Sequence, residues 1–283
     1  MKHPKITDLK NKTVVITGGS GVLCSVMAEE LARQGAKIAI LNRNIENGRS
    51  LAAKLNQEGG TAIAIKTDVL NLNSLVEAKK RVNDELGSCD ILINGAGGNH
   101  PKGTTSKSHF FENDLNEKNE LTTFFDLDPE GMEFVFNLNF LGTFLPTKIF
   151  AKDMVGKKGC SVLNISSMSA YSPLTRIPAY SAAKAAVSNF TQWLAVHFSK
   201  VDIRVNAIAP GFFLTHQNRK LLLDEQGNFT ERATSILEQT PMSRFGSPDE
   251  LIGTVLWLCS DSSAFVTGVV VPVDGGFSAF SGV

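Results

Sequence analysis

Short apolar runs rich in Val and Ile alternate along this chain with longer segments whose apolar residues recur at helical spacing. Thr13–Thr17 (TVVIT) opens the series and runs into a glycine-rich turn, after which Met27 and Leu31 fall one helical turn apart. Lys37–Leu41 follows as a second strand, then a helix around Gly48–Leu55, a strand at Thr61–Ile65 and a polar helix over about Leu72–Leu86. Asp90–Ile93 is an uninterrupted buried-type strand, and Ser161–Ile165, Ile203–Ile208 and Val269–Val273 complete the set. Apolar helices are expected around Phe134–Phe150 and Ala182–Phe198. Strands that are apolar on both faces and separated by helices belong to a parallel sheet covered on both sides. The pattern therefore predicts an α/β fold, a doubly wound parallel sheet of about seven strands with helices on both faces.

Two stretches break the rhythm. Residues 98–130 are polar and poor in helical period, and residues 211–246 carry two short helical patterns instead of a strand. Both follow strand ends, where open α/β sheets bind ligands, so they are expected to be substrate loops. The phenylalanines of the first loop, Phe110, Phe111, Phe124 and Phe125, are assigned to loop-anchoring core. No repeat or linker interrupts the chain, and residues 1–283 read as one domain.

Composition narrows the function. An apolar content of 42% with 20% charged residues excludes a disordered or fibrous chain. The 28 basic residues balance 28 acidic ones, which removes a dominant attraction to nucleic acid or an anionic membrane. Cys24, Cys89, Cys160 and Cys259 lie far apart with no CxxC and no His at ligand spacing; they read as core residues of a reducing, cytoplasmic compartment, with no metal expected. The N-terminus has no apolar leader and no run of eighteen apolar residues occurs, so no membrane span is expected.

The candidate chemistry begins at Thr17-Gly18-Gly19-Ser20-Gly21-Val22-Leu23-Cys24, set between a strand and a helix. Glycine there lets the backbone approach a pyrophosphate, which then sits on the helix N-terminus. The second strand ends in Asn42-Arg43. A carboxylate at that point would accept from an adenosine 2′-hydroxyl; Asn42 carries no charge, and Arg43 can pair with a 2′-phosphate. Asp68-Val69 closes the third strand, where Asp68 is a candidate adenine contact or a cap for the helix starting near Asn71. Farther on, Tyr180 and Lys184 lie one helical turn apart on one face, and Ser167 lies thirteen residues before Tyr180, just past a buried strand. A cation beside a phenol should lower its pKa, and a hydroxyl can stabilise developing negative charge on a substrate oxygen.

Taken together these motifs resemble the short-chain dehydrogenase/reductase family. The first turn is similar to its TGxxxGxG signature, with Val22 and Cys24 in the places of the second and third glycines. Asn94-Gly95-Ala96-Gly97 is similar to NNAG, with Gly95 in the second Asn slot. Phe136–Asn139, Ser167, Tyr180/Lys184 and Pro210-Gly211 with Thr215 follow in the family's order. The resemblance spans residues 10–277 and implies a Rossmann-type fold and a hydride exchanged with NAD(P), NADP being favoured by Asn42-Arg43. It implies Asn139, Ser167, Tyr180 and Lys184 as catalytic residues, Lys184 also holding the nicotinamide ribose and Asn139 anchoring a proton relay. For the cofactor it implies Gly18, Ser20, Gly21, Val22, Leu23, Asn42, Arg43, Asp68, Val69, Asn94, Ala96, Gly97, Pro210, Gly211, Phe213 and Thr215. A homotetramer is implied too.

The substrate loops offer amides and cations. Asn99, His100 and Lys102 lie in the first, Gln217, Asn218 and Arg219 in the second, and Arg176 lies between Ser167 and Tyr180. Such groups suit a polyhydroxylated anion, and the GGNHP turn with the HQNR segment resembles the family's D-mannonate oxidoreductase (fructuronate reductase) branch. Arg244 is read as a brace for the C-terminal segment. The alternatives are a 3-oxoacyl carrier-protein reductase, another sugar or polyol dehydrogenase, and a non-catalytic dinucleotide sensor. The sensor is disfavoured because both Tyr180 and Lys184 are present.

Overall fold

The computed structural model describes residues 6–115, 121–215 and 218–282. Seven strands form one all-parallel sheet: β1 (Thr13–Thr17), β2 (Lys37–Asn42), β3 (Thr61–Lys66), β4 (Ile91–Asn94), β5 (Cys160–Ile165), β6 (Ile203–Pro210) and β7 (Val270–Val273). Their order is β3-β2-β1-β4-β5-β6-β7, each pair parallel. The winding reverses between β1 and β4, so the turns after these two strands frame a crevice at their carboxyl ends.

Though the strands are apolar throughout, alternate residues face opposite cores. Val14, Ile16, Ile38, Ile40 and Leu163 pack with side chains of α1 (Val22–Arg33), α2 (Ile45–Gln57) and α9 (Ile252–Cys259). Val15, Ala39, Leu92, Val162 and Val205 pack with α3 (Leu72–Glu85), α5 (Gly142–Phe150) and α6 (Pro178–Phe198). All four cysteines are buried and unpaired within these layers.

The helix expected around Phe134–Phe150 is interrupted. α4 (Pro129–Phe136) and α5 are joined by one π turn at Asn137–Leu141. Among the described residues Pro129–Asp153 is the one helical run long and apolar enough to cross a membrane; burial of Val135 and Phe150 and packing on α3 and α6 account for that apolarity.

The loop over 98–130 holds short 3₁₀ turns at Pro101–Gly103, Glu112–Leu115 and Phe124–Asp126, and the loop over 211–246 holds α7 (Arg219–Leu222) and α8 (Glu231–Glu238). One expectation is overturned here. Phe110, Phe111, Phe124 and Phe125 do not anchor the loop in core: they are 46% to 69% exposed, and Phe125 meets Phe110 and Phe124 edge to face.

Candidate active site

The turns after β1 and β4 are pressed together. Gly18 has φ +62°, and a Cβ there would meet Ala96 Cα at 3.0 Å, so only glycine suits both the backbone and the gap. Thr17 Oγ1 accepts from the N–H groups of Gly95 (3.1 Å) and Ala96 (3.2 Å), tying one turn to the other. A Cβ built on Gly95 would fall on the Cys24 sulfur. The two departures from the family's glycine and asparagine pattern therefore compensate: the thiol at 24 fills the space that the missing side chain at 95 leaves. Gly21 is the N-cap of α1 and brings no side-chain cap, which leaves the N–H groups of Val22 and Leu23 open to an anion. This uncapped start beside Gly18 fits a dinucleotide pyrophosphate.

Four elements converge beside the β4 turn. A Cβ on Gly97 would stand 2.6 Å from Asn139 Oδ1 and 3.3 Å from Lys184 Nζ, so the Gly97 backbone lies directly against both. The Asn139 amide clamps Gly98 from the π turn, donating to its carbonyl (2.7 Å) and accepting from its N–H (3.2 Å). Lys184 Nζ donates to Ile165 O at the end of β5 (2.8 Å) and stands 5.5 Å from the centre of the Tyr180 ring. Ser166 holds α6 on β5 through Lys184 O (3.2 Å) and the Ser188 hydroxyl (2.7 Å). Ser167 caps the 3₁₀ turn Met168–Ala170 by accepting from Ser169 N (3.2 Å), so its hydroxyl is fixed at the strand end.

The electrostatics differ from the expected picture in one respect. Burial pushes the Tyr180 phenol above its usual range, and a hydrogen bond with Ser167 pulls it part of the way back. The expected lowering by Lys184 is not what the free chain shows, because that ammonium lies over the ring and donates to the backbone. Burial likewise pushes Lys184 down to about 8, with Cys24 acting the other way. At neutral pH it remains largely a cation.

Other expected cofactor contacts are placed as follows. Asn42 Oδ1 accepts from Ser20 N (3.0 Å), linking the β2 end to the glycine turn, while Arg43 beside it is exposed. Asp68 Oδ1 accepts from Leu70 N (2.9 Å) and leaves the α3 cap to Asn71; Val69 is buried against Gly142. Asn94 turns its side chain away from the crevice. Its amide lies between β5 and α5, donating to Thr147 Oγ1 and Asn164 Oδ1 (2.8 Å each), which leaves its backbone to face the crevice. Gly211 follows Pro210 pressed on Asp274, where a Cβ would come within 2.6 Å, and the buried Phe213 ring packs on Gly246. Asn218 braces this turn, accepting from Thr215 N (2.8 Å) and donating to Phe213 O (2.7 Å).

The expected substrate groups separate. Lys102 is ion-paired with Asp128 (2.8 Å), the N-cap of α4. His100 Nδ1 accepts from Lys102 N (3.2 Å) with its ring on Phe134, and Asn99 Nδ2 donates to Thr104 Oγ1 (3.0 Å). Arg219 is exposed on the four-residue α7, and Gln217 lies outside the described residues. Arg244 does act as a brace, forming a two-pronged pair with Glu250 (2.7 Å twice) that holds the Glu250 carboxyl down at about 2. Sequence reasoning missed Thr17, whose role shows only once two strand ends are adjacent, and Arg232, which reads as the polar face of an amphipathic helix.

The family profile described as enoyl-(acyl carrier protein) reductase matches residues 23–278, and the chain belongs to the short-chain dehydrogenase/reductase family. It is 58% identical over 277 residues to an uncharacterized oxidoreductase of Haemophilus influenzae, spanning 98% of this chain and 96% of that one. It is 32% identical over 270 residues to 5-keto-D-gluconate 5-reductase of Escherichia coli K12, spanning 95% and 96%. A Haemophilus influenzae structure provisionally assigned as a D-mannonate oxidoreductase, with bound NAD, has a TM-score of 0.93 at 58% identity over 98% of each chain. Gluconate 5-dehydrogenase of Burkholderia cenocepacia, in complex with NADP and tartrate, gives 0.82 at 27% identity over 98% of each. The chain is thus an NAD(P)-dependent oxidoreductase of this family.

Proposed function

We propose that the chain interconverts a keto sugar acid and the corresponding hydroxy acid, with D-fructuronate and D-mannonate as the leading pair. The observation that carries the reading is the meeting of Ser167, Tyr180 and Lys184 against the Gly97–Asn139 wall. A bound nicotinamide supplies or takes the hydride. Ser167 donates to the substrate oxygen and Tyr180 passes its proton to that oxygen as the alkoxide forms. Lys184 holds positive charge next to the phenol, favouring its ionised form once the proton has left. Gly18, Gly21, Val22 and Leu23 would receive the pyrophosphate, and Pro210 to Thr215 the carboxamide.

Support for a sugar acid comes from the polar loops over 98–130 and 211–246 and from the relatives that act on gluconate and its keto forms. Either dinucleotide is accepted and the 2′-phosphorylated one favoured, because the β2 end offers an exposed Arg43 and no carboxylate. The unpaired cysteines fit a cytoplasmic setting, and the exposed aromatic face of α5 and α6 fits a homotetramer.

The test is oxidation of NADPH or NADH against D-fructuronate, 5-keto-D-gluconate, D-fructose and a 3-oxoacyl thioester. The sugar acids should give the highest kcat/KM; preference for the thioester would remove the reading. Tyr180→Phe should lower kcat by about 10²-fold or more with cofactor Kd within a few-fold. Retention of more than about a tenth of kcat would take the proton from Tyr180.

A further inference from the structure

A cavity of about 520 Å³ opens beside the loop Ser172–Arg176, which connects Ser167 to Tyr180. That loop is fastened to the first turn of α6, where Leu174 N donates to Ser181 Oγ (3.3 Å), next to Tyr180 in the chain. The opposite wall is α8, with Phe212, Phe277 and Phe280 closing an aromatic side.

Two cations line this space, Arg176 from the loop and Arg232 from α8, and no carboxylate lines it. Arg176 is held rigidly in a left-handed backbone conformation, φ 74°. Its carbonyl accepts from Thr105 N and its Nε donates to Thr105 O, each at 2.9 Å. Both terminal amino groups are left without a protein partner among the described residues. Arg232 has neither an ion pair nor a hydrogen bond among the described residues. Arg232 is exposed on the cavity's α8 side; partial burial lowers its pKa first and the Arg176 charge lowers it further, so the two guanidiniums feel one another.

Elsewhere in the two loops Lys102 pairs with Asp128, Lys107 with Asp114 and Arg244 with Glu250. Two like charges facing one cavity without a counter-ion repel, and an anion between them turns that repulsion into two charge-assisted contacts. The other polar walls are hydroxyls and an amide, Ser108, Thr175, Ser235 and Gln239, which match a polyol better than an acyl chain.

We propose that Arg176 and Arg232 form the carboxylate clamp of the substrate site, with Arg232 the residue that makes the enzyme select acids over neutral sugars. This rests on the sugar-acid reading above. Arg176 lies on the loop that connects Ser167 to Tyr180, so the clamp fixes the acid end of a substrate whose carbonyl meets these two groups.

The experiment compares D-fructuronate with D-fructose in the wild type, Arg232→Leu, Arg176→Leu and Arg232→Lys. Arg232→Leu should raise KM for D-fructuronate about ten- to a hundred-fold, with kcat, cofactor Kd and turnover of D-fructose within about three-fold. Arg232→Lys should recover part of the loss, since it restores charge without the planar fork. D-gluconate, titrated calorimetrically into the NADPH-loaded protein, should bind the wild type and lose affinity in both leucine variants. Unchanged acid-to-neutral ratios in both leucine variants, or equal D-gluconate binding, overturn the clamp and leave the sugar-acid reading standing. A wild type that neither turns over nor binds an acid overturns both.

Discussion

At the scale of single residues, the contact between Cys24 and Gly95 makes a sharp claim. A Cβ at 95 would occupy the sulfur's position, whereas after removal of the sulfur its nearest neighbour would be Thr17 O at 2.9 Å. Gly95→Ala should therefore cost about 1–3 kcal/mol through overpacking and weaken cofactor binding by displacing Ala96 and Gly97. Adding Cys24→Ala should restore part of both losses, since the new Cβ still crowds the Thr17 carbonyl; a double variant no better than Gly95→Ala, in chemical denaturation and cofactor titration, would show the pair is not coupled. Lys184 gives a second prediction. Its value in the folded chain is about 8 against an ordinary 10.5. Between these values the unfolded chain keeps a proton that the folded chain has released, so stability rises with pH across this window, and below it the full cost of the buried cation is felt. In cofactor-free protein the wild type should gain stability relative to Lys184→Met as pH goes from 7 to 9.5. A constant difference between the two would mean that the ammonium keeps its ordinary pKa.

Among the elements, strand ends carry the cofactor decision. Asn42 Oδ1 is engaged by Ser20 N, so the side chain serves the glycine turn first, and Arg43 is exposed beside it. Arg43→Ala should cut the preference for NADPH over NADH about ten- to a hundred-fold, the worth of one charge-assisted contact. Asn42→Asp keeps an acceptor for Ser20 N but adds a charge that repels the 2′-phosphate, and should move the preference toward NADH. Equal use of both cofactors by the wild type, unchanged in Arg43→Ala, would refute this. Strands and helices were legible in the sequence because a strand covered on both faces must be apolar along its length, as β1 and β4 are. The π turn was not, since a helical pattern continues through it while Asn139 is turned onto Gly98. Nor were the internal role of Asn94 or the Lys102–Asp128 pair legible: their partners are distant in sequence and are set by the packing of whole elements. A lone arginine in ERATSILE likewise gives no sign of the cation that faces it across a cavity.

For the whole molecule, the unanswered surface is the outer side of α5 and α6. Trp193 stacks on His197 at 4.7 Å and on Phe190 at 6.2 Å, while Phe144 meets Phe190 at 5.8 Å. Trp193 is 57% and Val196 77% exposed, beside a groove of about 310 Å³ lined by Phe144, Val155 and Leu194. An apolar face of this kind on a single chain is costly in water and is stabilised when a second copy covers it, which by symmetry covers both. The same helices bear the site: the π turn with Asn139 leads into α5, and Tyr180 and Lys184 lie on α6. Assembly through this face should therefore stiffen the reacting groups as well as bury Trp193. This face pairs two chains, and the proposed homotetramer needs a second contact between such pairs, so light scattering after size exclusion should give four chains per particle at micromolar concentration. Trp193→Glu with Val196→Glu should give a smaller particle, a Tm lower by several degrees and a reduced kcat, because each new carboxylate would be buried without a partner in the contact. A wild-type monomer, or an unchanged tetramer in the double variant, would show that this face is not where the subunits meet.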